Sequence, residues 1–149
     1  MLTIPKPLFE RMITHLEAGY PYEACGILVG ETDHPTRPRG RLVRDVVLVP
    51  NAWQAVNEHE SQRNRYLIPP DEYVRADRAA GKHGWDIVGI FHSHPDHPSQ
   101  PSEMDRSQAW PGISYVIVSV HKGRATNAQS WLLRHERDTF EQEEIRLVD

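Results

Sequence analysis

The stretch that most constrains this chain is a short, largely apolar run, residues 86–91 (DIVGIF), that leads without a break into His92-Ser93-His94-Pro95. Such a run reads as a central strand buried in a sheet. Side chains at i and i+2 of a strand point to the same face, so His92 and His94 aim two imidazoles at one point. Pro95 has no N–H to give to a ladder and ends the strand. The chain then has to return through a loop, DHPSQPS, and can bring a third group to the same point from another direction.

The remaining pattern supplies the sheet that this strand needs. Residues 24–30 (ACGILVG), 41–50 (RLVRDVVLVP) and 113–120 (ISYVIVSV) read as strands, with a further strand centred on Ser130-Trp131-Leu132-Leu133. Residues 5–18 form an amphipathic helix: Pro5 suits a first turn, Leu8, Met12 and Leu16 recur at helical spacing, and Gly19 and Pro21 stop it. A second helix spans 70–82, with Asp71 and Glu72 in its first turn. A short third helix spans 102–110. Residues 32–40 are a polar turn, and 51–65 are a loop with room for a short helix, long enough to suggest a functional role. The charged tail, 138–149, has no clear period. Strands and helices in this order imply an α/β or α+β domain around one sheet.

The chain has 149 residues, which fits a single domain over 1–149. Its 38% hydrophobic and 26% charged content is that of a globular protein with a real core. The one cysteine, Cys25, excludes an intramolecular disulfide and a zinc site built on several thiolates. In an apolar run it reads as a small buried hydrophobe. Neither a secretory leader nor a membrane-spanning stretch is visible, so a cytoplasmic setting is expected. The formal net charge of −4 is dispersed, and no basic stripe points to nucleic acid.

Asp105 is the candidate third ligand. Two imidazoles and one carboxylate suit zinc and leave a fourth tetrahedral position for water, the arrangement of catalytic sites. A competing reading is local: Ser102-Glu103-Met104-Asp105 also fits a helix capping box. On pattern alone the two readings stand side by side. His97, between prolines, reads as a solvated or site-lining residue.

Taken together, His92-Ser93-His94-Pro95, then six residues, then Ser102-x-x-Asp105 resembles the JAMM (MPN-plus) motif of zinc metallopeptidases. Glu23-Ala24-Cys25-Gly26, leading into ILVG, resembles the strand opening that carries this family's catalytic glutamate. The resemblance implies a central mixed sheet flanked by helices, with an architecture like that of the cytidine deaminases. It implies His92, His94 and Asp105 as ligands to one Zn2+ per chain, Glu23 as general acid/base, and Ser102 as a hydrogen-bonding residue beside the metal. Spacing alone would not choose Glu23 over Glu58, Glu60 or Glu103. The near-minimal length is similar to the stand-alone prokaryotic members, as is 65–70 (RYLIPP). That implies a substrate partner: a ubiquitin-like sulfur-carrier protein cleaved after its C-terminal Gly-Gly. The 51–65 loop is then a candidate docking surface. Two alternatives are a non-catalytic scaffold of the same fold and a metal hydrolase of small-molecule amides.

Overall fold

Apolar side chains alternate along the strands and sort the interior into two clusters on opposite faces of one sheet. The computed structural model describes residues 1–34, 39–54, 61–134 and 139–149. In chain order the elements are β1 (Leu2–Pro5), α1 (Lys6–Gly19), β2 (Cys25–Thr32), β3 (Arg41–Val49), α2 (Pro70–Gly81) and β4 (Asp86–Pro95). They are followed by α3 (Glu103–Gln108), β5 (Ser114–His121), β6 (Arg124–Arg134), β7 (Thr139–Glu143) and β8 (Ile145–Val148). The eight strands lie in the order β7-β6-β5-β4-β2-β3-β1-β8. Pairing is parallel for β4–β5, β1–β3 and β1–β8, and antiparallel elsewhere.

On one face, Met12 and Leu16 of α1 pack with Leu28, Val46, Val88, Phe91, Val116 and Val118. On the other, Ala76 and Ala80 of α2 pack with Cys25, Ile27, Val29, Ile90 and Tyr115. The helices therefore flank the sheet from both sides, as expected from the sequence. His92 and His94 share the parity of Ile90 and belong to the α2 face, whereas Phe91 and Ser93 belong to the α1 face. Among the described residues, no helix is long and apolar enough to cross a membrane.

Two regions differ from the sequence reading. The first helix starts at Lys6 rather than Pro5, because Leu2 and Ile4 alternate as fully buried strand residues that pair with β3 and β8. The charged tail is not shapeless: it supplies both edges of the sheet. Only Glu144 separates β7 from β8, so the sheet curls until its two edges meet at this corner, where Leu2 N–H donates to the Glu144 carbonyl at 2.8 Å. Glu143 is buried there and accepts from the hydroxyls of Ser114 and Ser130, with the Arg41 guanidinium 4.0 Å away. A charged residue aimed inward hides the strand from an alternation count.

Close approach of backbones fixes the middle of the sheet. β2 is irregular against β3 between Val29 and Gly30, and a Cβ on Gly30 would sit 1.9 Å from the Leu42 carbonyl oxygen. That oxygen is backbone in a central ladder and has no room to yield. Gly30→Ala is expected to destabilise the fold by about 3 kcal/mol, measured as a lower urea midpoint at unchanged slope.

Candidate metal centre

Parallel pairing of β4 with β5 runs the His-x-His segment deep into the sheet, with His92 opposite Ile117 and His94 opposite Ser119. The strand continues through both histidines to Pro95. His92 is 1% exposed and His94 8%. Their Nε2 atoms lie 3.2 Å apart. Asp105 completes a triangle: Oδ1 is 3.2 Å from His92 Nε2, and Oδ2 is 3.0 Å from His94 Nε2.

The capping-box reading of Ser102-x-x-Asp105 is realised. Asp105 N–H donates to Ser102 Oγ at 3.0 Å, and Ser102 N–H donates to Asp105 Oδ2 at 2.8 Å, a complete capping box at the start of α3. The same carboxylate faces the two imidazoles. The cap therefore orients the group that meets the histidines, and the helix it starts needs only one short turn to do so.

Ring orientations are fixed from outside the triangle. His94 Nδ1–H donates to the Pro98 carbonyl at 2.8 Å, and a carbonyl can only accept, so neutral His94 presents the lone pair of Nε2 inward. The ring of Tyr66 stacks on His92 with centroids 4.2 Å apart. His92 Nδ1 has no partner among the described residues. Loop 96–101 is pinned beneath: Ser99 Oγ donates to Gln129 Oε1 at 2.9 Å, and Trp131 Nε1–H donates to the Ser99 carbonyl at 3.0 Å.

Glu23 stands just before β2, 6% exposed, and offers a carboxylate oxygen within 4.8 Å of ring nitrogens of both histidines. Spacing along the chain gave no hint of this approach; the register of β2 against β4, which sets Cys25 opposite His92, produces it. One step further along, Ser93 N–H donates to the Ala24 carbonyl at 3.0 Å, while Ala24 N–H turns to Ser93 Oγ at 2.9 Å. The serine between the two histidines thus holds the peptide after Glu23. Ser93 and Tyr66 are the two site residues that pattern reading passed over as carriers of a role, although both fall inside quoted segments.

Electrostatics follow the geometry. Burial pushes the Glu23 carboxyl up to about 8, with the His94 charge opposing. Burial also works against ionisation of Asp105, but His92, His94 and the Ser102 N–H outweigh it and hold Asp105 well below the usual carboxylate range. Burial lowers His92, and Asp105 offsets this only in part. For His94 the bond and charge of Asp105 overcome burial and raise it. Cys25, buried on the same face, is pushed up to about 12 by burial and by Glu23, as befits an inert small hydrophobe. His97 is exposed and lines the cleft over the site, a cavity of about 380 Å³ that also meets Glu23, Arg63, His94 and Ser102.

The donor set fits a zinc ion. Ligands about 2.0–2.1 Å from a tetrahedral zinc lie about 3.3 Å from one another, close to the three separations between His92, His94 and Asp105. Glu23 brings a carboxylate oxygen within 4.8 Å of both ring nitrogens, so it borders the same point.

Residues 5–134 match the family described as prokaryotic homologues of the JAB domain, and the chain belongs to that family. This is the family that the metal motif resembles. The chain is similar to the desampylase of Haloferax volcanii, 37% identical over 127 residues that cover 82% of this chain and 81% of that one. It is similar to the probable TtuB-protein conjugate cleaving protease of Thermus thermophilus, 30% identical over 125 residues covering 84% and 74% of the two chains. Among solved structures, a protein from Desulfitobacterium hafniense matches with a TM-score of 0.81 at 31% identity, covering 100% of this chain and 94% of that one. A JAB1/MPN domain protein from Archaeoglobus fulgidus matches in fold, with a TM-score of 0.60 at 16% identity over 100% and 98% of the chains.

The buried Glu23 has a consequence for the metal-free protein. Its folded pKa of about 8 lies above the ordinary value of 4.5, so the native state keeps a proton that the unfolded chain releases. Stability from this group is complete below the unfolded value and falls as pH rises toward the folded one. Chelator-treated wild type is expected to lose on the order of 3–4 kcal/mol between about pH 5 and about pH 8 relative to chelator-treated Glu23→Gln. Parallel melting curves for the two proteins across that range would sink the account.

Proposed function

We propose that this chain is a zinc-dependent metallopeptidase of the JAMM type. It hydrolyses the amide bond after the C-terminal Gly-Gly of a ubiquitin-like sulfur-carrier protein, in the cytoplasm. The observation that carries this reading is the convergence of His92 Nε2, His94 Nε2 and the Asp105 carboxylate, with the buried Glu23 carboxyl beside them. The names of its relatives, a desampylase and a conjugate-cleaving protease, support the substrate class.

His92, His94 and Asp105 would hold the ion. Bound there, zinc supplies a Lewis acid that polarises the scissile carbonyl and brings the pKa of a water to about 7. Glu23 takes the proton of the attacking water on its carboxylate and returns it to the departing amide nitrogen. Its burial beside His94 places the carboxyl where it can both accept and donate a proton. Ser102 Oγ accepts from Asp105 N–H, which leaves its own O–H free to donate to the developing oxyanion. The cleft, lined by Pro95, Pro98, Pro101 and Arg63 to Arg65, leads past His94 and Glu23 and offers a seat for an extended Gly-Gly tail.

Two outcomes test the reading together. Wild type is expected to carry about one zinc per chain, with affinity lowered at least about 10-fold in Asp105→Ala. Glu23→Gln should keep its zinc and cleave a Gly-Gly-tailed carrier fusion about 1,000-fold more slowly. Full activity in Glu23→Gln would overturn the mechanism. Cleavage of dipeptides with none of carrier fusions would move the assignment to a small-amide hydrolase. Failure to take up zinc at all would favour a scaffold.

A further inference from the structure

We infer that Asn51 is a positioning residue of the active site, one side chain that holds the acid/base Glu23 and the Tyr66 segment in a single arrangement. This rests on the proposed peptidase reading and concerns Asn51 and Gln62, whose hydrogen bonds go to Glu23 and to residues 51–67 and not to the proposed metal ligands.

A primary amide has two N–H donors and an oxygen with two lone pairs. Asn51 uses all four. Its Nδ2 donates to the Glu23 carbonyl at 3.0 Å and to the Arg65 carbonyl at 3.0 Å. Its Oδ1 accepts from Trp53 N–H at 3.0 Å and Leu67 N–H at 3.1 Å. Both partners of one end are carbonyls and both partners of the other are N–H groups, so the amide has only one satisfactory orientation. Gln62 completes the clamp: its carbonyl accepts from Glu23 N–H at 2.6 Å, and its Nε2 donates to the carbonyls of Asn51 and Trp53 at 3.1 and 3.0 Å.

The N–H and the C=O of Glu23 are thus both held by this segment, and the following N–H is held by Ser93. The other two partners of Asn51, Arg65 and Leu67, bracket Tyr66, whose ring stacks on His92. Neither Glu23 nor 65–67 lies in a strand or helix, so no ladder fixes where they sit. Their bonds to Asn51 and Gln62 take over that task. A shift of about 1 Å in a proton-transfer group can cost about 100-fold in rate, so the clamp bears on catalysis more than on the fold.

Asn51→Asp is the discriminating variant. It keeps an acceptor for Trp53 and Leu67 and turns an oxygen toward the carbonyls of Glu23 and Arg65, where donors stood. The expected result on a Gly-Gly carrier fusion is a kcat lower by about 10- to 100-fold, KM within about 3-fold, and unchanged zinc content. Hydrogen exchange at the Glu23 amide should quicken while that of Val116 to Val118 in β5 stays at the wild-type rate. Introduced into Glu23→Gln, the substitution should leave the residual rate where it was; a merely structural role would lower it by the same factor again. Wild-type kcat in Asn51→Asp, or a further full loss in the Glu23→Gln background, overturns the inference. If wild type cleaves no carrier fusion, the functional reading falls, and the exchange measurement still decides: an unchanged rate at Glu23 refutes the clamp. Should Asn51→Asp not fold, Gln62→Leu removes only the bonds bracing Asn51 and Trp53. It is then expected to lower kcat by about 3- to 10-fold with zinc retained, and an unchanged kcat refutes the clamp.

Discussion

Three electron-pair donors face one another at about 3 Å where β4 ends: two imidazole nitrogens and a carboxylate that is held ionised. As neutral rings, His92 and His94 would turn lone pairs toward each other and toward a buried carboxylate; as protonated rings they would hold Asp105 ionised but bury charge of their own. A cation among them removes both problems at once. The surrounding structure is organised to keep these groups from relaxing apart. The sheet buries the strand, the Pro98 carbonyl fixes one ring, Tyr66 covers the other, and the capping box holds the carboxylate.

Each restraint comes from a different level of structure, which is why the arrangement holds without covalent links. Register between β4 and β5 places both histidines on one face. Local capping, a matter of four residues, sets Asp105. The loop joining them is anchored by Ser99 to β6, so three neighbouring strands share the task of holding the loop between the strand and α3. The corner at Glu143 acts on a larger scale: one buried carboxylate accepts from serines of β5 and β6 and faces the Arg41 guanidinium of β3.

The parts of this arrangement legible in the sequence are those with a period or a fixed spacing. DIVGIF followed by His-x-His gave the central strand with both histidines on one face, and Ser102-x-x-Asp105 gave the capping box that opens α3. The first strand was hidden because Leu2 and Ile4 run straight into a helix that begins with proline-rich sequence. Strands β7 and β8 were hidden because edge strands carry charge on their open side, and because Glu143 points inward to serines far away in sequence. The nearness of Glu23 depends on pairing across 69 positions and was implied only by family resemblance. Of the candidate docking surface at 51–65, residues 63–65 line the cleft beside Glu23 and His94. Its residues 55–60 lie outside those described, and the flanking ones wrap around Glu23.

The two halves of the site are therefore built differently. The groups that would hold the ion stand on a central strand and on the capped first turn of a helix, where packing and register leave little freedom. The group that would move the proton stands on a connection, held by the Asn51 side-chain amide, the Gln62 backbone carbonyl and one serine hydroxyl. Binding an ion demands a fixed cage, and Glu23 is buried beside the groups that would form it. Proton transfer demands that a carboxyl reach both a water and a leaving nitrogen in turn, which a rigid ladder would hinder. Placing the proposed ligands on the sheet and the proposed acid/base beside it meets both demands, because the bonds to Asn51, Gln62 and Ser93 hold the backbone at Glu23 and Ala24 and not the carboxyl itself.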